Sequence, residues 1–230
     1  MRTSSLTFAE NFMNYYKEYL ENKRHLSEYS IDGAINQEIW KNVFPKLLFI
    51  LKENWGYQGC GIFNTSKHAH KWLDATNTKT YKKITILSAC VHNAVNKRKP
   101  LTESEICEIG NHSNLLHETL DKIAVINIKK HSGNSISNDR EIRQESLENS
   151  DLLRRQILEL KPSVIIAGSN VCWDSLVLDL KLFRDKPVCP KHQAVQHEGY
   201  TLCFTNHPSA WSGGGFPILS LHKEILDHLK

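Results

Sequence analysis

Four short apolar runs punctuate the chain, at 46–51, 122–128, 163–168 and 200–205, and each stops at a polar or glycine-containing turn. Continuous hydrophobic runs of this length fit strands buried on both faces. Between them the apolar positions change to helical spacing. The clearest case is 139–160, where Leu147, Leu152, Leu153 and Ile157 mark one face, with Asn138 placed to cap the first turn and Glu141 to reach back to it. Near the start, Phe8, Phe12, Tyr15, Tyr16, Tyr19 and Leu20 recur among Lys and Glu, which predicts an amphipathic helix over 5–29. A shorter helix is expected over 35–44, ended by Pro45. The stretch 84–95 suits a strand or a buried helix and is read as helix. Strand and helix thus alternate, the pattern of an α/β protein with a mainly parallel sheet.

The expected architecture is one three-layer α/β/α domain with a central four-stranded parallel sheet and a helical N-terminal extension over 1–44. A chain of 230 residues, 40% hydrophobic and 23% charged, is long enough for one substantial core. Its formal charge of +4 permits a nucleic-acid partner without requiring one. The six cysteines, at 60, 90, 107, 172, 189 and 203, form no CxxC pair and no zinc-type couple with histidine, so reduced thiols and no metal are expected. The first residues lack the apolar run of a signal peptide, and no run of about 18 apolar residues offers a membrane span. A soluble, cytoplasmic protein is expected.

Ligands of open parallel sheets bind beyond the carboxyl ends of the strands, so the residues after each run should meet in one cleft. They are Glu53 and Asn54; Asn127 with Lys129 and Lys130; Gly168, Ser169 and Asn170; and Asn206, His207, Pro208 and Ser209. Amides that read a base edge, a positioned water and a histidine facing a leaving base would suit hydrolysis at a nucleotide. Gly168 and Ser169 allow backbone N–H groups to approach phosphate closely.

The segment from His207 to Ser212, HPSAWS, resembles the second signature of the uracil-DNA glycosylase superfamily. The first signature, written GQDPYH, GINPG, GMNPG or GEAPG in its branches, corresponds in place to Lys52-Glu53-Asn54-Trp55-Gly56. The resemblance covers roughly residues 45 to 228. It implies that Asn54 orients the attacking water, that Glu53 matches the Glu of the GEAPG branch, and that Asn127 reads the base edge. It further implies that Gly168 and Ser169 hold backbone phosphate and that His207 faces the oxygen of the departing base. Lys52 stands in place of glycine and Trp55 in place of proline, and the four-cysteine cluster pattern of one branch is absent. These departures bear on the substrate more than on the fold.

The resemblance implies a DNA glycosylase that flips a base out, hydrolyses its N-glycosidic bond and leaves an abasic site, with no cofactor. It is expected to be monofunctional, since no lysine is evidently placed as an amine nucleophile. Uracil is the family's default substrate. A modified pyrimidine such as glucosylated hydroxymethylcytosine of phage DNA, an antiviral role, is the alternative that Lys52 and Glu53 in an enlarged pocket would serve. A DNA-binding module of the same fold without catalysis, and a hydrolase of small nucleotides, are the readings from other classes.

Several residues keep two readings. Glu53 supplies basicity or is an ion-paired carboxylate, and Trp211 is the wedge that fills the gap left by a flipped nucleotide or a core tryptophan. Lys129, Lys130 and Ser209 contact phosphate or belong to an ordinary surface, as does the basic cluster Lys97-Arg98-Lys99. Tyr57 and Phe63 stack on the extruded base or pack in the core.

Overall fold

The computed structural model describes residues 32–55, 73, 79–130, 132–133, 137–211 and 216–229. The helix expected over 5–29, and the aromatic candidates Tyr57 and Phe63, lie outside the described residues.

All four apolar runs are strands: β2 (Leu47–Leu51), β4 (Ile123–Asn127), β6 (Val164–Ala167) and β8 (Tyr200–Phe204). They lie side by side and parallel in the order β4-β2-β6-β8. The sheet is nevertheless six-stranded and mixed rather than four-stranded and parallel. The short β1 (Gly33–Ala34) pairs antiparallel with β4 at one edge, and β7 (Gln193–His197) pairs antiparallel with β8 at the other. Neither edge strand carries a strong apolar signal. β1 has two residues, and β7 alternates around a turn with Gly199 in the left-handed region at φ +85°. The two-residue strands β3 (Asn54–Trp55) and β5 (Ser132–Gly133) form a separate parallel pair.

Helices cover both faces of the sheet. Side chains alternate along a strand, so Leu47, Phe49 and Leu51 enter one apolar cluster while Leu48 and Ile50 enter another. The first cluster takes in Ile84, Leu87 and Val91 of α2 (Lys79–Lys97), Leu116 and Leu120 of α4 (Ser113–Leu120), and Leu221 and Ile225 of α8 (Phe216–His228). Between α2 and α4 runs α3 (Glu103–Asn111), opened by a capping box between Thr102 and Glu105. The second cluster takes in Ile142 of α5 (Asp139–Glu148), Leu153 and Ile157 of α6 (Ser150–Leu160), and Val171 of α7 (Asn170–Asp174). Every residue of β2 is at most 3% exposed and every residue of β6 is fully buried, so these two are the sheet's central strands. Each large apolar side chain buried in this way stabilises by roughly 1.5–3 kcal/mol.

The helix expected over 35–44 is shorter, α1 (Gln37–Asn42), and Asn36 caps it by accepting from the Glu38 and Ile39 amides. The ambiguous stretch 84–95 is helix, inside α2. There Thr85 and Ser88 return their buried hydroxyls to the carbonyls of Tyr81 and Ile84. The helical pattern over 139–160 is two helices, broken at Asn149 (φ −106°, ψ 14°). Asn138 does cap α5, through the Arg140 amide, but Glu141 turns to Lys129 rather than back to the cap. A cation within reach is a stronger partner for a carboxylate than a neutral amide. Among the described residues no helix is long and apolar enough to cross a membrane.

Candidate functional site

The parallel register aligns the carboxyl ends of the four central strands. Leu51 lies opposite Asn127, and the next steps of the ladder continue past the strands, Ile128 N–H donating to Leu51 O and Lys129 N–H to Lys52 O. On the other flank Gly168 N–H donates to Ile50 O and Thr205 N–H to Ala167 O. The residues after β2, β4, β6 and β8 are therefore at one end of the sheet. β2 and β8 are separated by β6 alone, so their ends stand two strand spacings apart, roughly 10 Å.

Gly168 decides how that interval is filled. A Cβ there would stand 3.0 Å from Leu51 Cδ2 and 3.2 Å from Pro208 Cδ. Only a residue without a side chain lets the turn after β8 lean across β6 onto the end of β2. The turn itself is a single 3-10 turn, Pro208–Ala210, closed by Ala210 N–H to His207 O at 2.8 Å.

Half-buried His207 opens this turn, and its tautomer follows from its neighbours. Its Nδ1 accepts from the Ser209 amide at 3.3 Å and lies 2.7 Å from Ser209 Oγ, which therefore donates its hydroxyl proton. With Nδ1 held as an acceptor, the neutral ring carries its proton on Nε2, which makes no hydrogen bond among the described residues. Burial, and then the positive charges of Lys52 and Lys83, push the imidazole pKa down to about 4. At neutral pH His207 is an uncharged N–H donor in a positive surrounding.

Across the interval, the side chain of Glu53 is 4% exposed and ion-paired with Lys129, Nζ to Oε2 at 3.3 Å. Lys129 also binds Glu141 of α5 at 2.6 Å. Burial by itself lowers the Lys129 pKa, but hydrogen bonds and charges from Glu141 and Glu53 together outweigh it and hold the pKa above the ordinary lysine value. The other oxygen of Glu53, Oε1, is buried without a partner among the described residues. A buried carboxylate oxygen left unpaired is costly, so Glu53 holds unused acceptor capacity at the strand end.

The remaining candidates are sorted by their surroundings. Lys52 is not free to contact a base: it is 19% exposed and reaches Asp139 at 2.5 Å, tying the loop after β2 to the first turn of α5. Asn127 is buried, and its backbone N–H donates to Asp32 Oδ2 at 2.6 Å. Asn54 is described only as backbone, in register with Ser132. Ser169 caps α7, its Oγ accepting from the Cys172 amide at 3.2 Å, and it is largely buried. Ser209 is exposed, its hydroxyl engaged with His207.

Three expectations are overturned by burial. Lys130 is fully buried and ion-paired with Asp32 at 2.6 Å, so it cannot contact phosphate. Burial pushes its pKa down against the raising effect of Asp32. Lys129, 3% exposed and shared by two carboxylates, is likewise withdrawn from phosphate. Trp211 is a core tryptophan, 4% exposed, with its indole N–H donating to Asn206 O at 2.9 Å, and is not available as a wedge. The indole needs an acceptor when buried, and the strand end supplies one.

Two participants carry no sequence signal of their own. Asp32 accepts at once from Asn127 N–H, Lys130 and Gln156, fixing the end of β4. Lys83, one of many helical lysines, donates to Ser209 O at 3.2 Å and also to Trp211 O. Beside the turn, the His192 ring lies 3.2 Å from Thr205 Oγ1 and 3.4 Å from Asn206 Nδ2. Among the described residues no group of three His, Cys, Asp or Glu side chains is arranged to hold a metal. No protein-family model matches the chain, and no curated protein matches it either.

Proposed function

We propose that this strand-end cleft hydrolyses the N-glycosidic bond of a nucleotide in DNA, within a three-layer fold of the uracil-DNA glycosylase kind. The observation that carries the reading is the pairing of opposite chemistries across β6: a neutral His207 with Nε2–H to donate, and a buried Glu53 with an unpaired oxygen. Breaking a glycosidic bond places negative charge on the departing base and positive charge on the sugar. His207 donates to the first, and the flanking Lys52 and Lys83 cations add an attractive field for the base anion. Glu53 faces the second, stabilising the cationic sugar and accepting a hydrogen bond from the attacking water through Oε1. Gly168, by adding no side chain of its own, lets Leu51 and Pro208 close together between them.

The substrate is uracil or a modified pyrimidine; the departures of the first motif from the usual signature favour the modified base, although Lys52 itself is engaged with Asp139. Incubation with single- and double-stranded oligonucleotides bearing uracil, or with phage DNA bearing glucosylated hydroxymethylcytosine, followed by mass spectrometry of the freed base, tests both. Release from the modified DNA alone supports the antiviral reading, and release of uracil supports repair. Binding to DNA with no free base from any substrate is the result expected of a non-catalytic module.

A further inference from the structure

We propose that Lys83 is the positioning residue of the cleft, holding the His207 turn against the long helix α2 so that the imidazole keeps its donor nitrogen toward the substrate. This rests on the glycosidic reading for what His207 does, but not for how it is held.

The Pro208–Ala210 turn packs on α2. It is too short to define its own orientation, because its two closing bonds, Ala210 N–H to His207 O and Trp211 N–H to Pro208 O, lie within the turn and tie it to no other element. Two of its outward carbonyls, Ser209 O and Trp211 O, face the helix, and both accept from the one Lys83 ammonium. A charged donor shared by two carbonyls separated by one residue restrains both position and rotation of the intervening backbone. Two further restraints act on the same turn. Trp211 anchors its far end through the indole bond to Asn206 O, and Pro208 abuts Gly168. Neither reaches the Ser209 carbonyl, which belongs to the residue whose amide and hydroxyl define the His207 tautomer.

The groups facing His207 are Ser209 of its own turn, Lys52 from the loop after β2 and Lys83 from α2; Lys52 is engaged with Asp139. Lys83 is itself pushed to a lower pKa by burial and then by Lys79, as befits an ammonium drawn out of water onto carbonyls. Loss of Lys83 therefore has two separable effects, a loosened turn and a less positive surrounding for the imidazole.

The test is a set of full-length variants, Lys83→Met, Lys83→Gln and Lys83→Arg, read by NMR titration of the His207 ring and by thermal unfolding. Burial, Lys52 and then Lys83 push the wild-type ring down to about 4; in Lys83→Met the midpoint moves up by the Lys83 share alone, burial and Lys52 still holding it below the ordinary 6.5, and Lys83→Arg restores the low value. Base release from a responsive DNA falls about 100-fold in Lys83→Met, the loss expected from misplacing a reacting group by about 1 Å, and is rescued in Lys83→Arg. If Lys83→Met fails to fold, Lys83→Gln, which keeps one donor but no charge, carries the same readout. An unmoved His207 titration in a folded variant overturns the proposal, and so does equal failure of Lys83→Arg and Lys83→Met. The titration requires no substrate, so it judges the role of Lys83 even where no DNA is cleaved.

Discussion

A histidine at a turn becomes useful chemistry only when its protonation is controlled, and His207 is controlled from both sides. Ser209 fixes Nδ1 as an acceptor, and burial with two lysines disfavours the cation. The linkage to stability follows in sign. The folded ring has its pKa near 4, below the ordinary 6.5, so the unfolded chain takes up the proton first as pH falls. The stability contribution is complete above pH 6.5, is lost between 6.5 and about 4, and changes no further below that. Replacing His207 by Asn should therefore make the acid slope of unfolding free energy shallower by up to one proton in that window, measurable by urea titration at several pH values. Trp211 makes a contrasting prediction. As a core side chain its replacement by Ala should cost about 3–5 kcal/mol of stability, with the residual DNA affinity of the folded fraction unchanged. A selective loss of affinity at unchanged stability would restore the wedge reading.

At the scale of elements, the close contact of strand ends and turn is the main structural device. Gly168→Ala should cost about 1–3 kcal/mol by overpacking and should depress base release beyond what the stability loss explains, because the neighbours it presses on are Leu51 and Pro208, the latter next to His207. Unfolding midpoints and single-turnover rates on the same variant separate the two effects. The four apolar runs were legible because a strand buried on both faces must be apolar throughout. β1 and β7 were not, since a two-residue edge and a half-exposed hairpin strand leave little hydrophobic trace. The division at Asn149 was hidden for a related reason: Leu147, read on the apolar face, is exposed, and it is Ile142 that brings α5 into the cluster shared with Leu153 and Ile157 of α6. Asn138 announced its helix because capping depends on residues close in sequence.

For the whole molecule, sequence indicates which segments end at the same edge of a sheet, but not which side chains are already spoken for. His207 and Glu53 were legible as polar groups following apolar strands. Lys129 and Lys130 were read as surface cations because their partners, Glu141, Glu53 and Asp32, are brought near only by the fold. His92 and His222 illustrate the same limit: both are buried and bonded to backbone groups, at Pro45 O for one and at Leu101 N and Ile218 O for the other. Their helical settings give no sign of these bonds, whereas His207 is marked by the strand run before it and the Pro-Ser after it. The long-range ion pairs also identify what organises the cleft, since Lys52–Asp139 and Lys129–Glu141 tie the ends of β2 and β4 to the first turn of α5. Negative side chains at that helix N-terminus gain further from its dipole.

The central claim is that this arrangement breaks a glycosidic bond in DNA through His207 and Glu53. The most direct measurement is the number of aldehyde-reactive abasic sites formed in a panel of normal, uracil-containing and phage-modified DNAs by the wild type, His207→Ala and Glu53→Gln. The account predicts abasic sites in one class of DNA with the wild type, reduced about 100-fold or more in each variant. No abasic sites in any DNA, or equal numbers from wild type and both variants, would contradict it.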